Sequence, residues 1–164
     1  MEGSIGYFGT AIAFIGATLA VGFCCAGSAK GVGLVGEVGA AALAEEPKRF
    51  SQILILQILP GTQGLYGLVA WFFALMKLGF FSSTLAQIDP GQGLMFFAAS
   101  LPIAIGGYFS AIAQGQCAAS AVNMILRRPE EISKGIIMAI MVEFYAILAL
   151  LGSFLMLNSL NPMS

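Results

Sequence analysis

Histidine is absent from the 164 residues of this chain. That absence removes serine–histidine and cysteine–histidine nucleophiles, a His-ligated metal site and a histidine proton shuttle, so no catalytic site is expected within the chain. Charge is also scarce: Asp, Glu, Lys and Arg make up 9% of the residues, against roughly 25% in an ordinary soluble domain. With 59% of the residues hydrophobic, a water-soluble monomer is excluded. The net charge of −1 leaves no basic patch to neutralise phosphates, and a nucleic-acid partner is excluded with it. Cys24, Cys25 and Cys117 show no CxxC spacing and are expected to be small buried residues in packed helices. The N-terminal Met1-Glu2-Gly3-Ser4 is acidic where a secretory signal is basic, so the first apolar segment is expected to be retained.

What is present is long apolar sequence. Charge-free runs cover residues 3–29, 50–76 and 90–126, and Glu143 alone interrupts 135–164. A crossing helix needs about 20 apolar residues, and each run suffices. The expected fold is an all-α integral membrane protein forming a single membrane domain over 1–164, with helices at about 4–44, 49–79, 91–127 and 131–158. The first and third helices are long enough to project beyond the hydrocarbon. Two connections, Glu45-Glu46-Pro47-Lys48-Arg49 and Arg127-Arg128-Pro129-Glu130-Glu131, are tight polar turns whose prolines start the following helices. The third, from Phe81 to Gly93 with Ser82, Ser83, Asp89 and Pro90, has the composition of a looser loop. All basic residues except Lys77 cluster around the proline turns, which places those turns in the cytoplasm and both termini outside.

Superposing Pro47 on Pro129 shifts the chain by 82 residues and matches Ser28 with Ser110, Ala29 with Ala111, Gly33 with Gly115 and Ser51 with Ser133. The chain reads as a duplication of one helical hairpin, the first copy at about 4–79 and the second at about 91–158. Glu143 then aligns with Gly61, so only one hairpin carries the carboxylate. Small residues recur every four positions in the first and third helices, as in Cys25, Ala29, Gly33 and in Gly107, Ala111, Gly115, Ala119. Such seams allow close approach in lipid and suit a tight inner cylinder of many subunits as well as packing inside one protomer. Gly31 to Gly36 fits GxGxxG, but the segment lies within a long helix. The dinucleotide motif needs a strand-to-helix turn and a downstream acid, so that reading is rejected.

Glu143 lies 14 residues past Pro129, about 21 Å along a helix and so near mid-membrane. An ionised carboxylate there costs about 2.5–3.5 kcal/mol on insertion scales, and an intramembrane acid is a functional candidate by default. Thr62, Gln63 and Gln114 stand 15 or 16 residues from their own proline turns, which brings them to about the same depth. Leu59, Thr62, Gln63 and Tyr66 follow i, i+3, i+4, i+7 on one helix face, and Pro60 weakens the backbone ladder there. Hydroxyl, amide and carboxylate oxygens with one negative charge suit a single hard monovalent cation. A proton carrier needs the carboxylate and little else, so the surplus oxygens favour Na+. Tyr66 is placed to donate its hydroxyl to Glu143. No Arg or Lys of the chain lies at this depth, so a partner subunit is expected to supply the basic side chain that displaces the ion.

Gln57-Ile58-Leu59-Pro60-Gly61-Thr62-Gln63-Gly64-Leu65-Tyr66-Gly67 is highly specific. Together with Gly27-Ser28-Ala29-Lys30-Gly31-Val32-Gly33, Ala113-Gln114-Gly115 and the segment Val142 to Leu148, it resembles the duplicated proteolipid of V-type rotary ATPases, most of all the bacterial sodium-pumping type, the K subunit. The resemblance covers nearly the whole chain. It implies a homo-oligomeric rotor ring in the cell membrane, turned by an ATPase motor whose central stalk meets the cytoplasmic turns. It also implies a stator subunit bearing an essential arginine. The family's Na+ ligands map onto the Leu59 carbonyl, Thr62, Gln63, Gln114 and Glu143, with Tyr66 bonded to the carboxylate. A proton-carrying rotor subunit of the same family remains open, as does a small tetraspan transporter that uses Glu143 for proton coupling. The transporter requires a substrate cavity lined with aromatics, whereas the single tryptophan, Trp71, lies away from the Glu143 level.

Overall fold

A computed structural model describes residues 2–82 and 85–162, with side chains from residue 7 onward. Met1 and Ser83 lie outside the described residues, as do the side chains of Glu2 and Ser4. Every regular element among the described residues is helical: α1 (Glu2–Glu45), α2 (Phe50–Ile58), α3 (Thr62–Lys77), α4 (Pro90–Arg127) and α5 (Ile132–Ser159). Short 3₁₀ turns at Pro47–Arg49, Leu59–Gly61 and Pro129–Glu131 run directly into the helices that follow them. Proline has no N–H to lose at the first turn of a helix and its φ is preset for one, which is why Pro47 and Pro129 open the two return arms. Four stretches are long and apolar enough to span a bilayer: Tyr7–Glu45, Pro47–Lys77, Pro90–Arg127 and Pro129–Ser159.

The second arm is not the continuous helix expected over 49–79. Pro60 cannot donate to the carbonyl four residues earlier, and the backbone tightens to a 3₁₀ turn at Leu59–Gly61 before resuming as α3. The third connection also departs from a loose loop. At the end of α3, Gly79 takes the left-handed conformation at φ 72°. The Phe80 N–H bonds the Leu75 carbonyl at 3.0 Å, and the Gly79 N–H bonds the Met76 carbonyl at 3.1 Å, a Schellman ending. Further on, Ala86 and Ile88 are buried, and the Thr10 hydroxyl of α1 donates to the Ala86 carbonyl at 2.8 Å. Asp89 then caps α4, its Oδ1 accepting from the Gly91 and Gln92 N–H groups at 2.7 and 3.1 Å. A composition rich in glycine and serine suggests flexibility, and these specific bonds instead fix Gly79 and Phe80 at one end and Ala86 to Asp89 at the other.

Helices α1 and α4 run parallel and form the closest seam in the molecule. A Cβ added at Gly27 would strike the Tyr108 backbone, and one at Gly115 would strike the Gly31 backbone, so this seam requires glycine. The run Gly107, Ala111, Gly115 is therefore consumed inside the protomer, where all three residues are buried. Cys25, Ala29 and Gly33 instead face outward. Only one of the three thiols meets the expectation of burial: Cys24 is fully buried and donates to the Ile103 carbonyl at 3.2 Å. Cys25 is exposed and Cys117 half-buried. Successive helical residues point about 100° apart, so Cys24 and Cys25 cannot both enter the seam.

Helix α5 buries a single stripe, Gly135, Ala139, Glu143, Ala146, Ser153 and Leu157. It presents the rest of its surface outward, including Ile137, Met138, Met141, Phe144 and Leu148, as a lipid-facing helix does. Further hydrogen bonds tie element to element. The Ile103 N–H, next to Pro102 inside α4, donates to the Ser153 hydroxyl at 3.0 Å. Gln52 Nε2 donates to the Pro129 carbonyl at 3.0 Å. Lys77 donates to the Asn158 and Leu160 carbonyls at 2.9 and 3.2 Å, satisfying the end of α5.

Candidate ion-binding site

Glu143 and Gln63 each fall at the middle of a 31-residue spanning stretch, Pro129–Ser159 and Pro47–Lys77. The buried stripe of α5 turns the Glu143 side chain toward α3 and α4, and the 3₁₀ turn at Leu59–Gly61 brings Thr62, Gln63 and Tyr66 to meet it. Gln63 and Gln114 are fully buried, and Glu143 is 9% exposed.

Every oxygen and amide in this pocket is placed by a neighbour. The Tyr66 hydroxyl donates to Glu143 Oε1 at 2.5 Å, and Gln114 Nε2 donates to Glu143 Oε2 at 3.2 Å. Gln63 Nε2 donates to Gln114 Oε1 at 2.6 Å and to the Ser110 hydroxyl at 3.3 Å. The Ser110 hydroxyl in turn donates to the Val142 carbonyl at 3.1 Å. The Thr62 hydroxyl donates to the Leu59 carbonyl at 3.1 Å and lies 3.4 Å from Gln63 Oε1. All six residues singled out from the sequence, Leu59, Thr62, Gln63, Tyr66, Gln114 and Glu143, thus belong to one connected network drawn from three helices.

The network divides the labour. Tyr66 and Gln114 hold the two carboxylate oxygens, and a charge-assisted hydrogen bond of this kind is about twice as strong as a neutral one. Leu59, Thr62 and Gln63 form a second group of oxygens joined through the threonine hydroxyl. Gln114 turns its nitrogen, not its oxygen, toward the carboxylate, while its oxygen accepts from Gln63 and keeps a second lone pair. Sequence reasoning misses Ser110. It anchors Gln63 from four residues before Gln114 on the same face of α4, and that spacing is its only signal in the sequence.

A carboxyl group with neutral oxygens beside it, at the middle of stretches able to span a bilayer, has the donor set that suits a small hard cation. The duplication does not repeat this chemistry, since Glu143, Gln63 and Gln114 correspond to Gly61, Tyr145 and Val32 at the 82-residue spacing.

Comparison with known proteins agrees with this organisation. The model of the ATP synthase C family matches twice, at residues 15–74 and 97–156, and both ends of the second match are displaced by the same 82 residues that superpose the proline turns. The chain is 52% identical over 130 residues to V-type sodium ATPase subunit K of Enterococcus hirae, covering 79% of this chain and 80% of that protein. It is 34% identical over 143 residues to A-type ATP synthase subunit K of Methanocaldococcus jannaschii, covering 87% of this chain and 60% of that one. With two matched hairpins, four helices able to cross a bilayer and a carboxylate at their midpoint, this multi-pass membrane chain belongs to the ATP synthase C family.

Proposed function

We propose that the chain is the rotor-ring subunit of a V-type rotary ATPase, carrying Na+ on Glu143 between two half-channels of a stator as the ring turns. The chain itself performs no catalysis; its role is to carry the ion. The observation that carries the reading is the convergence of three helices on one carboxylate at mid-span, with Tyr66 and Gln114 donating to it and Leu59, Thr62 and Gln63 gathered beside it. The sodium assignment is supported by those surplus oxygens and by the 52% identity to a sodium ATPase subunit.

Ion transfer follows from charge. With Na+ on Glu143 the site is neutral and passes lipid at little cost. Without it, the carboxylate must meet water or an opposing cation, because an uncompensated charge at this depth costs about 2.5–3.5 kcal/mol or more. A basic side chain on the stator supplies that cation, displaces the ion and lets the rotor move on. The hydrogen bonds from Tyr66 and Gln114 keep the carboxylate oriented between these events, so rebinding needs no search of rotamers. In this reading the proline turns face the cytoplasm and meet the central stalk of the motor, both termini lie outside, and the exposed apolar surface of α5 faces lipid in the cell membrane. Gly22 and Gly33, whose added Cβ would meet nothing within 4 Å in the protomer, belong to the outward stripe of α1 that suits close packing with another copy.

The test is radioactive Na+ retention by the purified assembly. One ion per chain is expected, and Glu143→Gln is expected to abolish both retention and ATP-coupled transport while the assembly keeps its native mass. Transport retained by Glu143→Gln overturns the carrier role, and retention of protons in place of Na+ at all Na+ concentrations overturns the sodium assignment.

A further inference from the structure

Helix α3 starts without a cap of its own. Pro60 tightens the backbone at Leu59–Gly61, so α3 begins abruptly at Thr62, and Gly61 in the N-cap position has no side chain to offer. The first four N–H groups of a helix have no partner within it, and an N-cap side chain ordinarily takes the one at its second or third residue. The third residue of α3 is Gly64, and its N–H donates to the hydroxyl of Ser28, on α1, at 2.9 Å. Ser28 stands 36 positions away in the chain and is buried, at 7% exposed. A serine of the neighbouring helix thus does for α3 what an N-cap residue does from within the same segment.

The position of that hydroxyl is set by the glycine seam. A Cβ added at Gly27 would fall 2.6 Å from the Tyr108 carbonyl oxygen, and one at Gly31 would fall 2.4 Å from the Ala111 carbonyl oxygen and 2.8 Å from Cβ of Pro60. Helix α1 therefore rests directly on the α4 backbone one residue before Ser28 and three residues after it, and the later contact includes the proline of the break. Further along α3, a Cβ at Gly67 would fall 2.5 Å from Cys24 Cβ. Pro60, Gly64 and Gly67 thus meet Gly31, Ser28 and Cys24 in order along α1. The outer two contacts are of shape, and the middle one is the hydrogen bond.

Gln63 is the residue before Gly64. Its amide nitrogen is held by Ser110 and Gln114, and Ser110 is the counterpart of Ser28 at the 82-residue spacing. The two duplicated serines hold the same stretch of α3, Ser110 through the Gln63 side chain and Ser28 through the backbone that follows it. We propose that Ser28 is a positioning residue of the ion site, which by capping the Gly64 N–H fixes the turn that presents the Leu59 carbonyl, the Thr62 hydroxyl and the Gln63 amide oxygen together. The inference rests on the Na+ reading above and specifies how the neutral oxygens are set. Without the cap, the Gly64 N–H is left where lipid supplies no water to replace it, and the turn must shift to find another acceptor. The groups around the carboxylate are fixed independently. Glu143 belongs to α5 and Gln114 to α4, and Tyr66 adjoins Gly67, which has its own contact with α1.

Carbodiimide labelling of Glu143 in the purified assembly, localised by mass spectrometry, separates this role from general support of the bundle. Two quantities are read: the Na+ concentration that halves labelling at fixed pH, and the pH of half-maximal labelling without Na+. Ser28→Ala is expected to raise the first roughly three- to tenfold, the effect of losing one neutral hydrogen bond, and to leave the second at the parent's value. Ser28→Cys keeps the volume but accepts only weakly; it is expected to behave as Ser28→Ala does, and it decides the matter should the alanine variant fail to assemble. Parent-like Na+ protection in these variants overturns the positioning role. A shift of both quantities together, or loss of the assembly in both variants, shows that Ser28 supports the whole bundle and overturns it as well. Labelling that Na+ fails to suppress in the parent overturns the sodium reading itself, and this assignment with it.

Discussion

At the scale of single residues, the network separates groups placed for the proposed ion from groups that hold those in place. Tyr66 donates to one carboxylate oxygen at 2.5 Å, and a hydrogen bond to a charged group contributes roughly 1.5–3 kcal/mol. Tyr66→Phe is therefore expected to raise the Na+ concentration for half-saturation about ten- to a hundredfold, measured by Na+ retention, with the assembly intact. Ser110→Ala removes only the second of two acceptors for Gln63 Nε2, a neutral bond contributing about 1 kcal/mol, and a shift nearer fivefold is expected. Equal effects from the two variants would contradict this division of roles. The residues that carry net or partial charge at an unusual depth were legible in the sequence, because lipid makes polar groups conspicuous. Ser110 was not, since a hydroxyl passes unnoticed in a helix where it can bond a backbone carbonyl. Nor was the rotation of the Gln114 amide, which depends on which neighbour takes its oxygen.

At the scale of elements, three prolines and a glycine seam set the geometry. Pro47 and Pro129 start the return arms at equivalent points, and Pro60 tightens the backbone just before Thr62, so the ligand-bearing face of α3 begins at a fixed break. Helices α1 and α4 approach until Gly115 has no room for a Cβ. Gly115→Val is expected to separate the seam and, since overpacking of this kind costs about 1–3 kcal/mol or more, to lower the thermal unfolding temperature of the detergent-solubilised protein. It is also expected to weaken Na+ retention, because Gln114 is the adjacent residue. An unfolding temperature equal to the parent's would show that the seam is looser than described. Span lengths and the proline turns were legible because charge is so sparse that the few charged residues mark the helix ends. The seam's partner was not: the spacing of Gly107, Ala111 and Gly115 identified a close contact but not whether the other side belonged to the same chain. The placement of Ala86 after α3 escaped for the opposite reason, resting on Thr10, which is 76 positions away from it.

At the scale of the whole molecule, duplication leaves one intramembrane carboxylate among four helices. The hairpins share helix contacts at equivalent positions, Gly39 with Ile53 as Gly135 with Ala121, while the polar triad Glu143, Gln63, Gln114 occurs in one register only, its counterparts being Gly61, Tyr145 and Val32. Carbodiimide modification of the intact assembly tests most directly whether Glu143 binds Na+ at mid-membrane. A carbodiimide reacts with a protonated carboxyl and not with one occupied by a cation. Labelling confined to Glu143, and suppressed by Na+ at constant pH and ionic strength while K+ leaves it unchanged, is the predicted result. Labelling that Na+ fails to suppress, or that K+ suppresses equally, would contradict the account.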